Sequence, residues 1–333
     1  MKREGYIATA QHSLTLLLRN KFHAAKLAGW SRNRWARRAL GLLVVGFPLL
    51  LLGGIIVGNW SQLTSYTWRL RPLPLVLSLV LYVAGVSLGV LEWSLIMGRL
   101  AGVHSLRKNA KVYSYSTLAK RLPGTYWYVA GRMLLYNDEG VSKATTAAGS
   151  ALELASTILS GLLVYLLSLP YCLNTYLAGL PNIWRSGYII LLVGLLGVVF
   201  LRPSLVSAAL NRLTSSLGKQ EVAFTFRTRD TLTWLALHSL AWVVGGVVLY
   251  LLITALQPFP WTALPAVINM TAAAGLVGLV AFISPSGLGI KELTLAYLLS
   301  FYVPLPVAVV LTLLFRLWVI SGDFLWALLA LRL

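Results

Sequence analysis

The chain has 333 residues, of which 58% are hydrophobic and only 11% are charged, and its mean hydropathy is +0.78. Soluble globular proteins carry about 25% charged residues, so this composition excludes a soluble protein and indicates an integral membrane protein. The 28 Lys and Arg residues outnumber nine carboxylates and give a net charge of +19, but they cluster in short segments between apolar runs. That distribution is typical of membrane topology and of contact with anionic lipids, not of nucleic-acid binding.

Metal and redox chemistry have few candidate residues in this sequence. The single cysteine, Cys172, excludes a disulfide framework, a thiolate metal site and a CxxC pair. The four histidines are far apart in the chain and form no ligand motif: they are His12, His23, His104 and His238. We therefore expect neither a metal nor a cofactor.

The N-terminal segment is basic. Residues 1–38 hold nine Lys and Arg, and their apolar residues recur at helical spacing, which predicts an amphipathic helix on the inner leaflet. A signal peptide is the alternative, but the 20 uncharged residues that follow, Ala39–Gly58, favour an uncleaved first span. We predict a basic cytoplasmic segment over 1–38 and one polytopic membrane domain over 39–333.

Five further apolar segments follow the first span. Each has about the 20 residues that a bilayer requires, so together with the first span they predict about six full spans. The five segments are Pro72–Met97, Thr145–Leu169, Ser186–Val206, Leu232–Leu256 and Pro306–Leu331. Lys and Arg number 9, 2, 8, 1 and 5 in the successive segments 1–38, 59–71, 99–143, 170–185 and 202–229. This alternation predicts a cytoplasmic N-terminus. We expect a multi-pass protein of the plasma membrane.

A first interrupted segment covers residues 109–136, which are too polar to span and too apolar for a plain loop. The sequence Leu122-Pro123-Gly124 breaks this segment, because proline lacks an N–H group and glycine allows free backbone rotation. A helical hairpin that enters the bilayer and returns fits this pattern, with its bend at Pro123-Gly124. The alternative is a kinked amphipathic helix at the membrane surface.

A second break lies at residues 284–289, between the Gly- and Ala-rich stretch Trp261–Ile283 and a short apolar helix. It contains Pro285, Gly287 and Gly289. Non-helical backbone at membrane depth is tolerated only where protein or a water-filled cavity satisfies its polar groups, so such breaks mark sites. Alternatively, Trp261–Ile283 spans fully and the break is an ordinary turn.

The two halves of the chain correspond in order. Each half holds a span, an interrupted segment and another span, and opposite entry of the two segments would make an inverted repeat, as in many transporters. The expected fold is an all-α membrane protein with about six spans and two broken, re-entrant segments.

Several charges fall where the bilayer disfavours them. Such a charge costs about 2.5 to 3.5 kcal/mol when unpaired, and the residues concerned are Glu92, Glu153, Glu292, Arg316 and Asp323. One interpretation is that they line a polar cavity. The other is that they join helices as neutralised internal pairs, which is equally reasonable for any single residue. Arg316 and Asp323 lie two turns apart on one helix face and are expected to share a network.

Basic residues flank the first break. Lys120, Arg121 and Arg132 can hold a lipid phosphate, Arg through a bidentate fork and Lys as a point charge, although basic residues of cytoplasmic loops also occur without such a role. His238 is interpreted as an interhelical hydrogen-bonding residue. The sequence contains no nucleophile motif, so we expect no enzymatic activity.

These residues together resemble the flippase-like transmembrane domain of lysylphosphatidylglycerol synthases, over nearly the whole chain from about residue 40. The likeness is carried by Leu122-Pro123-Gly124, Gly131-Arg132, Gly140-Val141-Ser142, Glu153, the Pro-x-Gly-x-Gly-x-x-Glu sequence from Pro285 to Glu292, and Arg316 six residues before Gly322. Ser286 stands where that family more often has glycine. The soluble aminoacyl-transfer domain of the full-length synthases has no counterpart in these 333 residues, so we expect no synthesis of lysyl-lipid.

The resemblance implies a translocase for an anionic or lipid-linked phospholipid. Lys120, Arg121 and Arg132 would bind the head group, and the other candidates would line its path: Pro123, Gly124, Glu153, Pro285, Gly287, Gly289, Glu292, Arg316 and Asp323. Two other functions remain open. One is a non-transporting scaffold for a lipid-modifying or glycolipid-synthesis enzyme, and the other, a membrane-embedded transferase, lacks a recognisable nucleophile or metal.

Overall fold

A computed structural model describes residues 34–119, 127–138, 140–172, 226–280 and 287–332, together with the single positions 187, 191, 194 and 208. Within these ranges the chain forms helices and no strand. The helices are α1 (Arg34–Gly58), α2 (Trp60–Thr64), α3 (Pro72–Ala101), α4 (Leu106–Ala119), α5 (Trp127–Asn137), α6 (Lys143–Ser168), α7 (Thr228–Leu256), α8 (Leu264–Val280), α9 (Ile290–Leu299) and α10 (Leu305–Arg332).

Five of the helical segments in the described residues are long and apolar enough to cross a membrane. They are Pro72–Ala101, Lys143–Tyr171, Thr228–Leu256, Trp261–Val280 and Leu305–Ala330. The chain is therefore an all-α membrane protein with multiple apolar helices, as the composition predicted. The N-terminal segment 1–33 and the predicted span Ser186–Val206 lie outside the described residues, apart from isolated positions in the latter.

One of these five segments bears on an alternative that the sequence left open. Trp261–Val280 is 20 residues long and apolar enough to span, by length and composition alone. The backbone of the adjoining break is not helical at its described end, because Gly287 and Gly289 both adopt positive φ, at 69° and 89°. A Cβ at Gly287 would lie 2.7 Å from Cα of Gly278, so α8 and the chain that leads into α9 approach each other closely.

The first interrupted segment forms two short helices that pack against each other. Near one end of the pair the hydroxyl of Tyr136 donates to Asn109, and farther along Arg132 donates to Ser116. Contacts of this order require α4 and α5 to run antiparallel. The two described helices are thus an antiparallel pair, and the bend predicted at Pro123-Gly124 lies in residues 120–126, outside the described part.

Local signals in the sequence explain where several helices begin. α3 starts at Pro72, whose missing N–H group is unused in a first turn anyway. α6 starts after Ser142, whose hydroxyl accepts a hydrogen bond of 3.0 Å from the N–H of Thr145. The start of α6 fixes the register of Glu153, which lies on its buried face.

The main apolar core lies between α7, α8, α9 and α10. Its fully buried members include Leu249, Ile253, Met270, Leu295 and Leu311. Large apolar side chains on the outer faces are exposed instead, among them Leu73, Val76 and Val80 of α3. Such an arrangement suits a protein whose outer surface contacts lipid.

A tryptophan of α7 connects both halves of the chain. The indole of Trp242 lies against Gly161 of α6 and Gly275 of α8, and its Nε1 donates to the carbonyl of Thr157 at 3.0 Å. A Cβ at Gly161 would lie only 2.9 Å from the indole ring. Small residues at these positions therefore create the space that the ring fills.

Candidate functional site

Among the described residues, the most enclosed ion pair joins α5 to α6. The guanidinium of Arg132 contacts the carboxylate of Glu153 through both terminal nitrogens, and the second of these contacts measures 3.4 Å. Its Nε donates to the hydroxyl of Ser116 at 2.9 Å. Arg132 is 0% exposed and Glu153 is 5% exposed. Every nitrogen of the guanidinium thus has a partner, which offsets part of the cost of burying it.

Aromatic rings surround the same guanidinium. Its Cζ lies 3.8 Å from the ring centroid of Trp93, 5.2 Å from that of Tyr113 and 5.4 Å from that of Tyr128. Rings at these distances stabilise a cation through their electron-rich faces. Arg132 therefore links α3, α4, α5 and α6 through a single side chain.

A buried hydrogen-bond chain holds the Trp93 ring in place. Its Nε1 donates to the hydroxyl of Tyr136 at 2.9 Å, and that hydroxyl donates to Oδ1 of Asn109 at 2.5 Å. The amide of Asn109 then donates to the carbonyl of Val103 at 3.1 Å. All three side chains are fully buried. Because its members satisfy one another, the chain orients the indole over Arg132.

The second ion pair joins α9 to α10, next to the second break. Nη1 of Arg316 donates to Oε1 of Glu292 at 2.6 Å. The other carboxylate oxygen of Glu292 accepts from the backbone N–H of Gly289 at 2.6 Å and so caps the start of α9. One carboxylate therefore binds both the neighbouring helix and the main chain that leaves the break.

Two further buried acids have partners on other helices. Glu92 of α3, which is 0% exposed, contacts Nδ1 of His238 on α7, and Nε2 of His238 lies 2.7 Å from the hydroxyl of Thr157 on α6. The interpretation of His238 as an interhelical hydrogen-bonding residue is confirmed. Asp323 of α10 accepts from the hydroxyl of Tyr82 on α3 at 2.6 Å.

The structure brings the predicted site residues together only in part. Five of them lie outside the described residues, namely Lys120, Arg121, Pro123, Gly124 and Pro285. Arg132 was expected to bind a head group, but here its guanidinium is directed to Glu153 and is shielded from the surface. Arg316 and Asp323 were expected to share a network; in the structure Arg316 donates to Glu292 on α9 and Asp323 accepts from Tyr82 on α3. Gly287 and Gly289 do form the irregular backbone predicted for them.

The residues around Arg132 were not among the sequence candidates. The buried side chains concerned are those of Ser116, Asn109 and Trp93. For the segments that contain them, the sequence pattern predicted only apolar or amphipathic helices. Polar side chains among the apolar residues of 109–136 are the signal that indicates Asn109 and Ser116. Among the described residues, no group of three metal-ligating side chains occurs. The sequence matches no family model and no curated protein significantly.

Proposed function

We propose that this protein translocates a phospholipid or a lipid-linked molecule between leaflets of the plasma membrane, as a relative of the flippase-like domain of lysylphosphatidylglycerol synthases. The observation that carries the proposal is two Arg–Glu contacts in corresponding parts of the two halves, one buried and one partly buried. In each half a long apolar helix is followed by two shorter helices and another long helix, although α8, the first of the shorter helices in the second half, belongs to the segment Trp261–Val280, which is long enough to span. In each half the second short helix is joined to the following long helix by one such pair.

The order of the charges is exchanged between the halves. The short helix carries the cation in the first half, at Arg132, and the anion in the second, at Glu292. In an inverted repeat with re-entrant hairpins, the two pairs would face the translocation path from opposite leaflets. An arginine and a carboxylate would then be available near each leaflet.

Energetics favour a functional role for these pairs. Well-packed apolar residues often stabilise a protein as well as a buried ion pair does, because burial of two charges carries a large desolvation cost. Buried ionisable residues in membrane helices therefore point to a substrate path. The guanidinium fork matches phosphate as well as carboxylate, so a lipid phosphate can replace the glutamate on either arginine. The acyl chains would remain in the surrounding lipid.

A reconstituted vesicle assay tests the proposal. Purified protein is placed in liposomes that contain a fluorescent phospholipid, and transbilayer movement is followed by quenching of the outer leaflet. We expect faster exchange than in protein-free liposomes, and a severalfold loss of rate in Glu292→Gln and in Arg132→Ala. Arg99→Gln is the matched control, because Arg99 forms an exposed ion pair with Asp230 at 3.2 Å.

Two results would contradict the proposal in different ways. Wild-type activity in both Glu292→Gln and Arg132→Ala would remove the ion pairs from the mechanism. No exchange above the protein-free rate, for anionic and zwitterionic lipids alike, would favour the scaffold. The scaffold predicts a lipid-synthesis enzyme as a crosslinked neighbour, and normal function of the pathway after the membrane carboxylates are neutralised.

A further inference from the structure

A basic groove opens at the start of α4, next to α5. It has a volume of about 310 Å³ and is lined by Ser105, Arg107, Lys108, Lys111, Val112, Tyr115 and Leu135. Ligand pockets usually measure about 300 to 1,000 Å³, so this groove suits a head group and not a complete lipid. Nothing in the site described above uses these residues.

The basic residues of the groove lie near the N-terminus of α4, where positive charge is electrostatically unfavourable. The first two turns of α4 contain Arg107, Lys108 and Lys111, and its first turn contains no acidic residue. The N-terminus of a helix carries a partial positive charge, so cations there are unfavourable. Arg107 and Lys111 are also four residues apart on one helix face, where like charges repel. A bound anion would relieve both effects.

Two of the three cations have no acidic partner. Among the described residues, Arg107 and Lys111 form no ion pair, whereas Arg99, Arg132 and Arg316 each contact a carboxylate. The lining of the groove likewise includes no carboxylate. The charge is therefore available to a ligand.

The surroundings of the groove indicate a lipid as the source of that anion. Tyr115 and Leu135 belong to its lining, and both are exposed, at 50% and 37%. Leu106 and Leu134 nearby are also exposed, at 50% and 62%. Only residues 102–105 separate α4 from the end of the apolar helix α3, which places the cations at the level of lipid head groups. A free phosphate would gain nothing from the apolar rim.

We propose that the basic groove is a binding site for an anionic phospholipid. Arg107 and Lys111 hold the phosphate, and the glycerol and upper acyl chain lie along Tyr115 and Leu135. The site is separate from the Arg132–Glu153 pair and does not depend on translocation, since a protein that moves no lipid would still bind one here.

Lipid titration of the full chain in detergent tests the site, with bound lipid counted by native mass spectrometry. The probes are phosphatidylglycerol, phosphatidylcholine and inorganic phosphate. We expect the wild type to prefer phosphatidylglycerol. The triple variant Arg107→Gln, Lys108→Gln, Lys111→Gln should bind it about tenfold more weakly or worse, because each cation near a membrane surface contributes to the attraction.

Two controls distinguish binding in the groove from general attraction to positive charge and from binding of a free anion. The variant Arg69→Gln, Arg71→Gln, Arg332→Gln removes three exposed cations elsewhere and should bind phosphatidylglycerol like the wild type. Leu135→Gln should weaken binding of phosphatidylglycerol and leave binding of inorganic phosphate unchanged. Size-exclusion profiles verify that every variant is folded.

Three results would overturn the inference. Equal binding by the groove variant and the wild type would place the lipid elsewhere. An equal loss in both triple variants would indicate attraction to net charge alone. Unchanged lipid binding by Leu135→Gln, together with full displacement of lipid by inorganic phosphate, would identify a site for free anions.

Discussion

Arg132 and Arg316 form the same kind of ion pair with glutamate, but their surroundings differ. All three nitrogens of Arg132 have partners, three aromatic rings surround it, and it is 0% exposed. Arg316 has one bonded nitrogen, its buried Nε has no hydrogen-bond partner among the described residues, and its side chain is 15% exposed. Full satisfaction of a buried polar group stabilises one arrangement, whereas an unsatisfied atom raises its free energy.

The position of each pair in the chain adds to this difference. Glu153 lies within the continuous helix α6, whereas Glu292 caps a helix that starts directly after a backbone break. We infer that the first pair fixes its helices and that the second pair opens at lower cost. If the protein translocates lipid as proposed, the lipid would displace Glu292 from Arg316 before it displaces Glu153 from Arg132.

The largest effect is expected from breaking the first pair. Arg132→Met removes the cation that contacts the buried carboxylate of Glu153 and should lower the free energy of unfolding by about 3 to 5 kcal/mol. Thermal unfolding in detergent, followed by tryptophan fluorescence, measures the change. The double variant Arg132→Met, Glu153→Leu removes both charges and should recover much of the loss. A double variant as unstable as the single one would show that packing, not charge, dominates.

The same change in the second pair should cost less. Arg316→Met should lower the free energy of unfolding by about 2 to 3 kcal/mol, because Glu292 keeps its bond to the N–H of Gly289 and Arg316 already has an unsatisfied nitrogen. The same unfolding measurement compares both variants directly. A larger loss in Arg316→Met than in Arg132→Met would reverse the proposed order of the two pairs.

The backbone break next to the second pair gives a third test. Gly287→Ala places a Cβ 2.7 Å from Cα of Gly278 on a residue with positive φ, and should cost about 1 to 3 kcal/mol. Gly131→Ala is the matched control, since a Cβ there meets nothing within 4 Å and alanine favours a helix. Equal stability of the two variants would mean that the close approach at Gly287 relaxes easily.

The smallest effect is expected at the ring that covers Arg132. Trp93→Phe keeps an aromatic face but removes the donor to Tyr136, and should cost about 1 kcal/mol. In combination with Arg132→Met the change should cost less than it does alone, which a double-mutant cycle measures. Strict additivity would show that the ring and the cation do not interact.

The sequence predicted the long helices at Pro72–Ala101, Lys143–Ser168, Thr228–Leu256 and Leu305–Arg332 and the irregular backbone at Gly287 and Gly289, because hydropathy and glycine positions are local properties. It did not predict the partners of the charges. Arg316 and Asp323 lie on one face at helical spacing, yet Arg316 donates to Glu292 and Asp323 accepts from Tyr82. Partner choice depends on how helices rotate and pack against one another, and single-sequence periodicity does not contain that information.

The aromatic surroundings of Arg132 were hidden for a related reason. Trp93, Tyr113 and Tyr128 come from three different helices and converge only after α3, α4 and α5 pack together. In a membrane protein, tryptophan and tyrosine are common at the lipid interface, so their presence alone did not distinguish a buried cluster.

The indole of Trp242 limits how the two halves can move. It comes from the second half, and it is wedged between one helix of its own half and α6 of the other. The inserted ring therefore opposes sliding of α6 past α7 and α8. Any rearrangement must carry α6, α7 and α8 as a single block or expel the ring from between them.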